Sequence, residues 1–247
     1  MLKSKRKQII MEMLIQDNFV SLENLVDVLE TSESTIRRDL DELESERKLH
    51  RIHGGAELYH SLSEELTIQQ KSIKNIQSKK AIAQKALEFI HQNDVIFIDA
   101  GTTNEVLIEL LVDKNLTIVT NSIHHAAKLV EKNIRTLIIG GFVKNTTDAS
   151  IGNQAIHQIE SLNFDKAFIG MNGIDENYLT TPDIEEAAIK QKVIKNSHKT
   201  YILIDDSKIG QVSFAKVCKI EDVDVVTNRT NGILINTIKK KTKVIEV

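Results

Sequence analysis

Cysteine occurs once in the 247 residues, at Cys218, so an internal disulfide and a multi-cysteine metal site are both excluded and a reducing cytoplasm is the expected compartment. Long apolar runs are missing as well: no stretch approaches the roughly 18 apolar residues that a membrane span requires. Lys3, Lys5, Arg6 and Lys7 precede an apolar patch, but Glu12, Gln16 and Asp17 interrupt it and no small-residue cleavage site follows, so no signal peptide is expected. Positive charge is not in excess. The formal net charge is -3, and the first 56 residues hold nine Lys and Arg against eleven Asp and Glu, which counts against a nonspecific basic binder of nucleic acid. The basic residues are nonetheless clustered at Lys3 to Lys7, at Arg37 and Arg38, and from Arg47 to Arg51, so phosphate contacts would come from local patches. With 41% hydrophobic and 27% charged residues, the chain is globular and long enough for one small and one larger domain.

Against that background the stretch Ser32 to Leu43, S-E-S-T-I-R-R-D-L-D-E-L, stands out. Ser32 occupies an N-cap position, where its hydroxyl can accept a bond from an orphan amide of the first turn. Ile36, Leu40 and Leu43 recur at i, i+4 and i+7 and form one apolar stripe. Ser34 and Arg38 then point away from the core, with Arg37 at the flank. A guanidinium can fork onto guanine or phosphate oxygens, so this face suits a major groove. The plainer reading is a solvated face with i, i+4 ion pairs between Arg37 and Asp41 and between Arg38 and Glu42, in the weaker orientation for such pairs. Upstream, a helix over 5–16 buries Ile9, Ile10, Met13 and Leu14, and Ser21 caps a second helix carrying Leu22, Leu25, Val26 and Leu29. The short turn Glu30 to Ser32 fits helix-turn-helix geometry. Downstream, the Gly54-Gly55 pair between short alternating runs predicts a β-hairpin, which completes a winged helix.

T-I-R-R-D-L from Thr35 to Leu40, followed by R-I-H-G-G-A from Arg51 to Ala56, resembles the N-terminal signature of the DeoR family of bacterial transcription regulators. The resemblance implies that the helix enters the major groove and that Arg51 and His53 lie at the wing near the DNA backbone. The expected DNA-binding set is Ser32, Ser34, Thr35, Arg37, Arg38, Arg51, His53 and Gly54, within a winged helix-turn-helix domain over 1–58.

Residues 59–78 are polar and weakly periodic and read as a linker with some helix. From residue 79 helices and strands alternate. Ile82, Ala83, Ala86, Leu87 and Ile90 predict an amphipathic helix, and Val95 to Ile98 a buried strand. Further strands are expected at 116–120, 136–139, 167–169, 201–204 and 223–226. This alternation predicts an α/β domain over 79–247 with a mainly parallel sheet, whose ligands sit beyond the carboxyl ends of the strands. Those ends carry Asp99-Ala-Gly101-Thr102-Thr103, Thr120-Asn121, Gly140-Gly141, Gly170-Met-Asn172-Gly173 and Asp205-Asp-Ser-Lys208. Glycine admits close backbone approach, and free amides with threonine hydroxyls at a helix N-terminus suit a phosphate. Lys208 offers a charge for a phosphoryl group, and Asp99 or Glu186 could accept sugar hydroxyls. Any one of these glycines or asparagines is more often a turn residue. Five such loops on one sheet edge favour a pocket.

D-A-G-T-T, T-N, G-G, F-D-K-A-F-I-G-M-N-G from Phe164, T-T-P-D with E-A-A-I-K ending at Lys190, and D-D-S-K resemble the effector domain of the same family. That domain is related in fold to ribose-5-phosphate isomerase and typically senses a phosphorylated sugar. T-N-S-I-H-H-A, G-G-F-V-K-N-T-T and N-G-I with T-T-P-D are most similar to regulators of fructose uptake operons, which implies fructose 1-phosphate as inducer. Asn228 stands where relatives usually place aspartate, and Ile209 follows Lys208 where an aromatic is common, at a position expected on the pocket edge. The expected effector set is Asp99, Gly101, Thr102, Thr103, Asn121, Gly140, Gly141, Asn172, Gly173, Glu186, Lys190, Asp205 and Lys208, with no metal and no cofactor. The expected function is a repressor that binds operator DNA as a homodimer or higher homo-oligomer and is released by a sugar phosphate. The competing class is a sugar-phosphate isomerase or deaminase with an accessory module. It needs a positioned acid and base. Asp99, Glu186, Asp205, His124 and His125 could furnish them, but no catalytic pairing at motif spacing is visible, and an intact winged helix has no use in such an enzyme.

Overall fold

The computed structural model describes residues 1–17, 19–52, 54–58, 61–112 and 115–247. The chain divides into two compact units, Met1–Ser61 and Leu62–Val247.

The smaller unit contains α1 (Lys3–Asp17), β1 (Phe19–Ser21), α2 (Leu22–Leu29), α3 (Glu33–Ser45), β2 (Leu49–Ile52) and β3 (Gly55–Leu58). The stripe expected on α3 is real: Ile36, Leu40 and Leu43 are buried together with Ile10 and Leu14 of α1, Leu25 and Leu29 of α2, and Leu49 and Ala56 of the hairpin. Each such aliphatic side chain contributes about 1.5–3 kcal/mol by leaving water. Ser21 caps α2, accepting from the Asn24 amide at 3.1 Å. The hairpin pairs β2 with β3, and β1 adds on the far side of β3, all antiparallel. Gly55 is required there because a Cβ would lie 2.3 Å from the Val20 carbonyl oxygen.

The larger unit runs α4 (Ile68–Ser72), α5 (Ile76–Leu87), β4 (Val95–Ile98), α6 (Thr102–Leu110), β5 (Thr117–Thr120), α7 (Ile123–Glu131), β6 (Arg135–Ile138), β7 (Phe142–Lys144), β8 (Ala149–Ile151), α8 (Asn153–Glu160), β9 (Phe164–Gly170), β10 (Gly173–Ile174), β11 (Tyr178–Thr181), α9 (Ile184–Lys195), β12 (Ser197–Leu203), β13 (Ala215–Lys219), β14 (Asp224–Thr227), α10 (Ile233–Lys239) and β15 (Val244–Glu246). Seven strands form one parallel sheet in the order β15-β14-β12-β9-β4-β5-β6. Strand side chains alternate between two cores, as a period of two dictates. Ile96, Ile98, Ile118 and Phe168 pack with Ile82 and Ala86 of α5, Leu107 of α6 and Leu129 of α7. Phe97, Val119, Ala167 and Ile169 pack with Ile159 of α8, Ile189 and Val193 of α9, and Ile238 of α10.

Three features depart from the sequence expectation. The stretch 59–78, read as linker, belongs from Leu62 onward to the larger unit and contains α4, closed by a capping box between Thr67 and Gln70. The edge strand β15, the hairpin β7–β8 and the antiparallel sheet β10-β11-β13 carried no clear local signal. Ser32 is an N-cap by position only: its hydroxyl lies against Ser34 Oγ and Thr35 Oγ1 and accepts from no backbone amide.

Candidate functional site

On α3 neither arginine makes the i, i+4 pair of the plainer sequence reading. Arg37 pairs with Glu33, Nε to carboxylate 2.8 Å, the acid lying four residues N-terminal in the better orientation for such a pair. Arg38 is exposed and has no ion-pair partner among the described residues. Glu42 is taken by Lys3 and Lys7 of α1, and Asp41 by Arg51 of the hairpin. Arg51 is therefore tied to α3 by its side chain and by its amide, which donates to Glu44 at 2.8 Å. Ser32 and Ser34 are exposed, Thr35 is half-buried, and Gly54 holds the turn at φ +88°, in the left-handed region where glycine is unstrained. His53 lies outside the described residues. Asp39, next to Arg38, is buried and receives the Arg6 guanidinium of α1 through two hydrogen bonds. That pair fixes the face of α3 that Arg38 leaves. It spans 33 residues, so only the acid's place beside the apolar stripe could have signalled it.

In the larger unit the parallel strands put the expected loops on one sheet edge. Asp99 follows β4 at the centre of the sheet and is buried against Lys190 of α9; Asp99 also accepts from the Gly170 amide at 3.2 Å, and Lys190 donates to the Gly170 carbonyl at 3.0 Å. Burial pushes the Asp99 carboxyl up, against the pull of Lys190. Burial alone would lower the Lys190 ammonium, but Asp99 and Glu186 outweigh it and hold it above its ordinary value. Neither partner is a free acid or base.

Next to this pair, Asn121 accepts from the Ala100 amide at 2.9 Å and so fixes the loop into α6. No side chain caps α6, whose N-cap is Gly101, and a Cβ on Gly101 would meet nothing within 4 Å. The amides of Gly101, Thr102 and Thr103 make no hydrogen bond among the described residues, and this open loop is the arrangement an anion uses. His125 of α7 is buried and neutral, its pKa pushed by burial down to about 4, and it interacts with the Gly101 backbone. His124 is exposed and contacts Glu105 at 3.0 Å.

Lys208 is half-buried and no acid pairs with it among the described residues. Burial lowers its pKa, Asp205 opposes this, and Lys71 and Lys74 add to the lowering. Lys79 of α5 is buried and similarly lowered by burial, within reach of the charges of Asp205, Lys208 and Lys71; its ammonium donates to the Lys71 carbonyl. Lys79, Lys71 and Lys74 thus lie within electrostatic reach of Lys208, and Asp205 bears on both Lys79 and Lys208 while accepting from Asn75 at 2.9 Å. Lys79 escaped the sequence reading, although its signal was there: it sits three residues before Ile82 on the apolar stripe of α5, where a lysine has no reason to be unless it is used.

The remaining expected residues are less central. Glu186 accepts from Lys144 at 3.1 Å and Thr147 at 2.7 Å. Asn172 accepts from Thr181 at 3.0 Å. Gly173 is demanded by packing, since a Cβ would lie 2.2 Å from the Gln211 carbonyl oxygen. Gly140 is held by Gln158 through its amide at 3.1 Å and its carbonyl at 3.0 Å, and Gly141 turns at φ +155° beside the Ile151 carbonyl. Close packing therefore accounts for Gly173, and backbone conformation with close approach for Gly141. Among the described residues no cluster of three or more metal-ligating side chains occurs, and no helix is long and apolar enough to cross a membrane.

Residues 6–62 match the family model of the DeoR-like helix-turn-helix domain and residues 74–229 that of the DeoR C terminal sensor domain. The regulator FruR of Bacillus subtilis, itself described as uncharacterized, is 37% identical over 99% of this chain and 98% of its own length. The regulator GlpR of Haloferax volcanii is 38% identical over 95% of this chain and 92% of its own. The lactose phosphotransferase system repressor of Staphylococcus aureus is 32% identical over 99% of each. A ribose-5-phosphate isomerase solved with phospho-erythronic acid aligns over 54% of each chain at 18% identity, with a TM-score of 0.41. With both units matched by models of one family and three regulators aligned almost end to end, the chain belongs to the DeoR family of transcriptional regulators.

Proposed function

We propose that the protein represses a sugar-utilisation operon, that of a fructose phosphotransferase system, and is released from operator DNA by fructose 1-phosphate. Two cation groups left without full neutralisation, one in each unit, carry the reading. Arg38 is free on the outward face of α3, available to a base edge or a phosphate. Lys208 with Lys79, and with Lys71 and Lys74 within electrostatic reach, makes a cationic recess at the end of β12, where an anion would offset the burial that chiefly lowers the Lys208 pKa. Asp205 and Asn121 supply the polar groups a sugar needs. A second copy of the chain supplies the second head, because paired helices on neighbouring turns read repeats about one helical turn apart. No catalytic role is assigned: Asp99 and Lys190 neutralise each other, and His125 is sequestered.

The test uses a duplex selected by the wild-type protein from a randomised pool, with gel shift for DNA and thermal shift for sugar phosphates. Arg38→Ala is expected to weaken duplex binding about 10- to 100-fold, the worth of one well-made arginine contact, and to leave stabilisation by fructose 1-phosphate intact. Lys208→Ala is expected to do the converse, binding the duplex normally while losing most of the thermal shift. A Lys208→Ala protein that responds fully to fructose 1-phosphate would remove the ligand site from the strand ends. Turnover of fructose, tagatose or ribose phosphates would overturn the reading as a whole.

A further inference from the structure

Residues 62–79 open the larger unit directly after the winged helix; the Leu62 carbonyl accepts from the Phe214 amide at 2.8 Å, and two further ties follow downstream. The nearer of these two is Glu65. Its carboxylate, mostly buried, accepts from Lys71 at 2.8 Å and from Lys144 of β7 at 2.5 Å. Lys144 continues inward, reaching Asp183 at 2.8 Å and Glu186 at 3.1 Å, and Glu186 lies close enough to bear on the charge of Asp99 and Lys190. The Ile68 amide adds a backbone bond to the Thr146 carbonyl at 3.0 Å. The downstream tie is the cationic recess itself: Asn75 donates to Asp205, and Lys79 donates to the Lys71 carbonyl. Lys71 belongs to both, with its ammonium on Glu65 and its carbonyl under Lys79.

We propose that 62–79 is a latch, with Glu65 held by Lys71 and Lys144 as its catch, through which an anion at Lys208 and Lys79 acts on the DNA-binding unit. The proposal rests on the reading that a sugar phosphate binds at the strand ends. An arriving phosphate offers Lys71 a stronger partner than Glu65, since the recess already places Lys71 within electrostatic reach of Lys208. Drawing Lys71 away leaves Glu65 with Lys144 alone and loosens the segment between Leu62, still held by Phe214, and α4. The closed catch thus favours the DNA-binding arrangement and the open catch the released one, so ligand and catch act on one equilibrium.

Glu65→Gln tests this, because it keeps the size of the side chain and removes the charge that both lysines grip. In the wild-type chain, fructose 1-phosphate is expected to weaken binding of the selected duplex by about 5- to 150-fold, the usual range of allosteric coupling, and to speed amide hydrogen exchange over 62–72. Glu65→Gln is expected to bind the duplex as weakly without ligand as the wild type does with it, to show fast exchange at 62–72 in both states, and to keep its thermal shift with fructose 1-phosphate. Lys144→Met should reproduce the pattern. Tight duplex binding by Glu65→Gln that is still released normally by ligand would overturn the latch and leave the repressor reading standing. Exchange at 62–72 that does not change when the wild-type chain releases DNA would do the same. A wild-type chain that gives no thermal shift with any sugar phosphate would remove the strand-end site, and the latch with it.

Discussion

Asp99→Asn is expected to destabilise the larger unit by about 3–5 kcal/mol at neutral pH, measured by urea unfolding of the full chain. The reason is not the loss of a favourable bond. Lys190 is about 5% exposed and its ammonium would be left buried facing a neutral amide, with Glu186 already engaged by Lys144 and Thr147. An uncompensated charge in the interior costs far more than the net worth of the pair that held it. The double variant Asp99→Asn/Lys190→Met is therefore expected to recover at least half of the loss, since its residual defect is one carbonyl, that of Gly170, without its donor. If the double variant is less stable than Asp99→Asn, the pair is not what holds β4, β9 and α9 together at their carboxyl ends.

Regular, local patterns made much of this molecule legible in the sequence. The 3.6-residue stripe of α3, the Ser21 cap, the Gly54-Gly55 turn and the apolar runs of β4, β5, β9, β12 and β14 each declare themselves within a few residues. What escaped depends on partners far along the chain. Arg6 with Asp39, Glu65 with Lys144 and Asn75 with Asp205 are separated by 33, 79 and 130 residues, and nothing near any of them announces its mate. Residues 62–78 looked like linker for that reason: their order comes from ion pairs and a capping box, not from an apolar face. The i, i+4 pairs of the plainer reading, Arg37 with Asp41 and Arg38 with Glu42, do not form because Glu33, Lys3, Lys7 and Arg51 compete for the same groups. At the sheet edge, loop composition identified where polar residues gather, but could not separate glycines that make turns from residues that face a ligand.

His125 gives the second large effect, and it is one of pH. Its folded-state pKa is pushed down to about 4, chiefly by burial, with Glu105 opposing and His124 and Lys128 reinforcing the shift. Below an ordinary histidine pKa of about 6.5 the unfolded chain takes up a proton that the folded chain refuses, so stability falls as the pH falls. The loss accrues at up to about 1.4 kcal/mol per pH unit and reaches about 3 kcal/mol by pH 4, of the same order as the Asp99 effect. Carboxylates such as Glu65, Asp183 and Glu105, whose pKa values are lowered by their lysine partners despite partial burial, add their own losses only in the carboxylate range, at and below about pH 4.5. Between pH 6.5 and 4.5 the falling slope therefore belongs largely to His125, opposed by Asp99, whose raised pKa lets the folded chain take up a proton ahead of the unfolded one. His125→Leu is expected to flatten that part of the profile whatever it does to stability at pH 7, because the readout is the slope and not the height. A profile as steep in His125→Leu as in the wild type would mean that the imidazole is hydrated in the folded state. Buried and neutral, it can leave Nδ1 as a bare acceptor without a hydrogen-bond partner among the described residues. Protonation at low pH would put an unpaired cation directly behind Gly101, so the strand-end loop should be the first part of the larger unit to give way.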